Sequence, residues 1–171
     1  MKEILNTTNS GISGEFYVAA ELTKRGYVAS LTSKNTKAID LLASNSDGSK
    51  VVSIQVKTTK KGTSFTLGQK DEMIETNESL FYVFVNLNIT TKNNQVEYGP
   101  VEYYVVPMKK VKRFIHNNHQ EWLRTPGRNG QQHNDSSMRK YHIQPDDKMN
   151  NFELLGLDSN VDKTVEDLNT I

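Results

Sequence analysis

The sequence predicts a single α/β domain built on a mixed β-sheet flanked by helices. Three observations carry that expectation. Stretches with helical and strand periodicity alternate along the 171 residues. Two strands, 38–44 and 50–58, are separated only by "NSDGS", whose Asp47-Gly48 pair is a hairpin signal, so part of the sheet is antiparallel. The most apolar stretch, "SLFYVFVNL" (79–87), suits a strand covered on both faces.

The elements follow in order. "SGEFYVAAELTKRGY" (13–27) reads as an amphipathic helix, with Ser13 as its N-cap and Gly26 as its stop. Residues 27–31 form a short strand and 33–37 a polar, basic loop before the hairpin. Residues 69–78 suit a short helix ahead of the apolar strand. "NITTKNNQVEYG" reads as loop with an edge turn, and 101–106 as a strand ended by Pro107. Residues 108–123 form a second helix with Val111, Ile115 and Trp122 near one stripe. "TPGRNGQQHNDSS" is a long loop, and 139–143 a short strand. The chain divides into a domain over 1–145 and an acidic C-terminal extension over 146–171.

Composition narrows the chemistry. With no cysteine, disulfide frameworks, thiolate zinc sites and cysteine nucleophiles are excluded. Residues 1–145 hold 19 Lys/Arg against 13 Asp/Glu, and residues 146–171 hold 2 against 7. A mildly basic body with an acidic tail permits a nucleic-acid partner without demanding one. No stretch approaches the ~20 apolar residues of a membrane helix, and the start lacks the apolar run of a signal peptide. The expectation is a soluble cytoplasmic protein.

A tight turn at Asp47-Gly48 sets the hairpin register. Asp40 then faces Gln55 and Leu42 faces Ser53, while Ile39, Leu41 and Ala43 face Val56, Ile54 and Val52. The second set is wholly apolar and belongs inside. Lys57, two residues past Gln55, shares the face of Asp40 and Gln55. On the first helix, at about 100° per residue, Glu15 falls within about 60° of Leu22, Val18 and Ala19, inside the apolar stripe. An acid on an inward stripe is costly unless paired or bound to a metal. Two acids, an amide oxygen and a lysine suit Mg²⁺, or Mn²⁺ in its place, beside a phosphate, with the lysine steadying developing charge. That is the outline of metal-assisted phosphodiester hydrolysis.

The segments "GEFYVAAELTKRGY", "AIDLLA" and "VVSIQVKTT" resemble the PD-(D/E)XK nuclease superfamily, and within it the Holliday-junction-resolvase-like and other small endonuclease-like branches. The resemblance covers about residues 11–61. It implies a restriction-endonuclease-like fold and a Mg²⁺-dependent endonuclease acting on DNA, many of whose relatives act as dimers. It also implies roles: Asp40 as the metal-binding acid, Gln55 in the place of the second acid, Lys57 as the lysine of the pattern, and Glu15 as a further helix acid. Two positions depart from it. Gln55 replaces a carboxylate with an amide, removing one negative charge, and Ala38-Ile39 stands where the pattern has proline. Gln55 supports a second reading, a catalytically inactive module that binds nucleic acid or another protein.

Lys34 and Lys37 before Asp40, and Lys60 and Lys61 after Lys57, flank this centre and are candidates for phosphate contacts. His116 and His119 are spaced to share a metal, but no third ligand accompanies them. Trp122, Tyr103 and Tyr104 read as core or rim aromatics rather than base-stacking platforms.

Overall fold

The structure, a computed structural model, describes residues 5–33 and 39–158. Helix α1 spans Thr7–Lys24, β1 Val28–Leu31, β2 Leu41–Ser44, β3 Val51–Thr59 and β4 Ser64–Gly68. They are followed by α2 Gln69–Met73, β5 Leu80–Asn86, β6 Ile89–Lys92 and β7 Gln95–Tyr98. Strand β8 Glu102–Pro107, α3 Met108–Arg124, β9 Met138–His142 and a 3₁₀ turn at Phe152–Leu155 complete the order. Five strands make one sheet in the order β1-β2-β3-β5-β8. Strands β3 and β5 are parallel and the other neighbours antiparallel, so the sheet is mixed, with α1 on one face and α3 on the other.

Helix α1 begins six residues before Ser13. Its cap is Asn6, whose side-chain oxygen accepts from Asn9 N at 2.8 Å, while Ser13 lies inside the helix and donates to Asn9 O at 2.7 Å. Both "NTTN" and "SGEF" present a cap-type residue, and the chain uses the earlier one. Gly26 ends the helix as expected. Its φ of 84° lets Gly26 N bond Thr23 O and Tyr27 N bond Leu22 O, a closure that suits a residue without Cβ.

The hairpin keeps its expected register, Leu41 opposite Ile54 and Ala43 opposite Val52. Its loop is longer than two residues: Asn45 N donates to Lys50 O at 3.3 Å, and Asn45 O accepts from Gly48 N at 3.2 Å. That loop is still centred on Asp47-Gly48, and lengthening it by one residue on each side leaves the pairing unchanged.

Two cores follow from the two faces. Leu41, Ala43, Val52, Ile54, Val83 and Val85 pack under Val18 and Leu22 of α1. Tyr82 and Phe84 on the opposite side of β5 pack with Phe65, Leu67, Val111, Ile115 and Tyr141. Strand β5 is therefore buried on both faces, as its composition predicted. The 4.8 Å stacking of Phe84 on Tyr141 locks β9 to the sheet.

Several elements lie outside the sequence reading. Strand β4 forms from "SFTLG" and pairs with β9 in a separate two-stranded sheet over the second core. Strands β6 and β7 form a hairpin whose turn residues Asn93 and Asn94 have φ of 50° and 61°, a conformation asparagine tolerates. Helix α2 stops at Met73 instead of 78. On α3 the buried stripe is Met108, Val111, Ile115 and His119, and Trp122 sits at the rim with 38% of its surface exposed. Beyond residue 145, Asp147 accepts from Tyr141 and Gln144 N, both at 2.7 Å, and Phe152, Leu155 and Leu157 fill the first core. Residues 159–171 of the acidic extension lie outside the described residues.

Gly14 marks where α1 meets β3. A Cβ there would lie 1.9 Å from Thr58 Oγ1 and 3.0 Å from its Cβ. Gly14→Ala is expected to lower stability by about 1–3 kcal/mol through forced displacement of the helix or of Thr58. A thermal unfolding midpoint at or above wild type would refute this.

Candidate functional site

The site is assembled from the end of β2, the middle of β3, and α2. Because residues alternate along β3, Ile54 and Val56 face α1 while Gln55 and Lys57 face away from it. Across the parallel ladder Gln55 lies beside Tyr82 and Lys57 beside Phe84.

Asp40 stands just before β2. Its backbone is pinned twice, by Thr32 N to Asp40 O at 2.9 Å and by Asp40 N to Ile54 O at 2.9 Å. The second bond reaches Ile54 O, which the strict ladder pairs with Leu41, so the chain leaves register here. The carboxylate turns onto β3, Oδ2 accepting from Val56 N at 2.7 Å. Burial raises the Asp40 pKa, and the Val56 N–H and the nearby Lys57 charge offset only part of that rise. Gln55 is half-buried, and its Oε1 is shielded from solvent without a hydrogen-bond partner among the described residues. An orphaned carbonyl of this kind is uncommon in a folded protein.

Lys57 Nζ lies 3.5 Å from Oδ1 of Asp71 on α2. Asp71 is buried and fully engaged. Its Oδ1 also accepts from Tyr82 OH at 2.5 Å, and its Oδ2 accepts from Gly68 N at 2.7 Å. Burial first, and then the Asp71 carboxylate, push the Tyr82 hydroxyl far above its ordinary pKa, so it stays a donor. Sequence reasoning missed Asp71, because "QKDEMIETNES" looks like a solvated acidic stretch. Only its offset of three from Gly68, the acid of a capping arrangement, signals a structural role.

The expected residues are therefore brought together in part. Asp40, Gln55 and Lys57 share one region of the sheet. Glu15 is half-buried on α1, next to Gly14 in the stripe of Ser10, Gly14, Val18 and Leu22 that the helix turns inward. Lys60 is half-buried and Lys61 exposed in the turn after β3, neither in an ion pair among the described residues. Lys34 and Lys37 lie outside the described residues. His116 and His119 diverge: His116 Nδ1 lies 3.8 Å from Glu72 Oε1, and the buried His119 bonds Asp135 at 2.7 Å.

Among the described residues no three His, Asp or Glu side chains gather as a metal-binding cluster. The donors present are one carboxylate and one amide carbonyl, both hard oxygens. The partnerless Gln55 Oε1 and the incompletely compensated Asp40 charge fit a Mg²⁺ ion that keeps most of its waters.

The chain matches no protein-family model and no curated protein. Among solved structures it is similar to Hjc, a Holliday junction resolvase from the archaeal hyperthermophile Archaeoglobus fulgidus, at 13% identity and a TM-score of 0.44, over 77% of this chain and 83% of that one. No described helix is long and apolar enough to cross a membrane.

Proposed function

We propose that this protein is a divalent-metal-dependent endonuclease that hydrolyses phosphodiester bonds of DNA. The observation that carries the reading is the buried carbonyl of Gln55, without a hydrogen-bond partner among the described residues, on the same sheet face as Lys57, whose charge acts on the Asp40 carboxylate. Asp40 and Gln55 would hold Mg²⁺, or Mn²⁺ in its place. The bound ion would supply Lewis acidity toward phosphate and a more acidic water. Lys57 would offer a positive charge to the negative charge that develops on the phosphorane oxygens, and Asp71, held by Tyr82, keeps that ammonium in position. Glu15 is not needed for this reading. Lys60 and Lys61, with Lys34 and Lys37, would meet the phosphate backbone and make binding steeply salt-dependent.

A second reading is favoured by the amide at Gln55: the same fold serving as a non-catalytic nucleic-acid-binding module. Nicking of supercoiled plasmid separates the two. Wild type is expected to nick with Mg²⁺ or Mn²⁺ and not with EDTA, and Lys57→Ala to lose about a hundredfold of that rate. Salt-dependent DNA binding with no nicking by wild type in either metal would establish the module instead.

A further inference from the structure

A second feature lies on the α3 side of the sheet. A cavity of about 320 Å³ opens between α3 and β9, lined by Asn118 and Trp122 on one side and by Met138, Lys140 and His142 on the other. That volume is at the lower end of the ~300–1,000 Å³ typical of small-ligand sites. Strand alternation builds it: Arg139 and Tyr141 turn inward and are buried, leaving Met138, Lys140 and His142 to face out.

The chemistry of the lining favours a flat, anionic guest. The Trp122 indole stacks with two rings, His119 at 5.5 Å and 26°, and His133 at 4.1 Å and 17°. His119 is buried and held by Asp135 at 2.7 Å, so that side of the stack is anchored. His133 comes from the loop after α3 and stacks more closely on the indole, without itself lining the cavity. Arg139 is already committed, its guanidinium meeting Glu72 at 3.0 and 3.1 Å. Lys140 makes no ion pair among the described residues and is left to meet an anion. Glu72 is the residue after Asp71, so the short helix that anchors Lys57 also anchors the strand that lines the cavity.

We propose that this groove takes an unpaired nucleotide of a single-stranded DNA segment, its base stacking on Trp122 in the place His133 holds and its phosphate meeting Lys140. The inference rests on the nuclease reading for the polymer and adds a substrate class: DNA carrying an unpaired stretch. It also moves Trp122 from rim aromatic to stacking platform.

Trp122 is the only tryptophan of the chain, so intrinsic fluorescence reports on this ring alone. Titration in EDTA with an oligothymidylate is expected to quench it saturably, and a blunt duplex of equal length to quench it far less. By anisotropy of a labelled oligonucleotide, Trp122→Leu and Lys140→Ala should each bind about tenfold more weakly, the scale of one lost base stack or phosphate contact. His133→Ala, which removes the competing ring, should bind at least as tightly as wild type. Unchanged thermal midpoints would show that the variants fold. Oligonucleotide binding with unmoved fluorescence and wild-type affinity in Trp122→Leu would overturn the proposal, as would no binding of single strands at all. If metal-dependent plasmid nicking persisted in either of those cases, the nuclease reading would stand without this groove.

Discussion

Asp40→Asn is expected to cut metal-dependent nicking by at least about a hundredfold while leaving the protein folded. The amide oxygen of asparagine can still accept from Val56 N, so the backbone anchor survives and only the charge is lost. A site with one carboxylate has no second acid to take over, and losing a main electrostatic group costs on the order of 10²–10³ in rate. Stability should move the other way. Burial raises the Asp40 pKa in the folded protein, so the ionised form is disfavoured there and costs stability at pH values above both the folded and unfolded pKa. In EDTA at neutral pH, Asp40→Asn should therefore melt slightly above wild type, and that gain should fade as the pH falls and Asp40 itself becomes neutral. Full nicking activity in Asp40→Asn would remove Asp40 from the site.

Asp71→Ala should have the largest effect on stability. It leaves the almost wholly buried Tyr82 hydroxyl without its acceptor, Lys57 without its counter-charge and Gly68 N without its cap. Lys57 can turn partly to water, so about 2–4 kcal/mol is expected, with most of it from the stranded hydroxyl. In a domain of this size that is a fall in thermal midpoint of roughly 5–15 °C. Asp71→Asn keeps one oxygen, enough to accept from either Tyr82 OH or Gly68 N but not both, and loses the charge, so it should recover part of the stability while nicking stays low. Equal nicking by Asp71→Asn and wild type would show that Lys57 needs no anchor.

The hairpin and its register were legible because two independent signals agree there: a turn pair and a wholly apolar set of opposed residues from Leu41 to Ile54. Gln55 and Lys57 on one face followed from that register, whereas Asp40 departs from it. A helix with an apolar stripe must cover the apolar face, which is the face Gln55 and Lys57 turn away from, so the side of the sheet that α1 covers was legible from the same pattern. Asp71 was not legible, because its role depends on the chain folding back after β4, a short strand whose Phe65 and Leu67 are its only signal. The groove at Trp122 depends on β9 meeting α3 across a loop, a contact that no local pattern encodes.

The arrangement of the two cores bears on when the chain can fold during its synthesis. The first core needs Phe152, Leu155 and Leu157, and the second needs Tyr141 on β9, the ladder partner of β4. Neither face of β5 is therefore complete before residues made more than fifty positions later. A chain emerging from the ribosome carries the apolar strand 80–86 only partly covered until nearly the whole domain is out, a delay that exposes it to chaperones and to pairing with other chains.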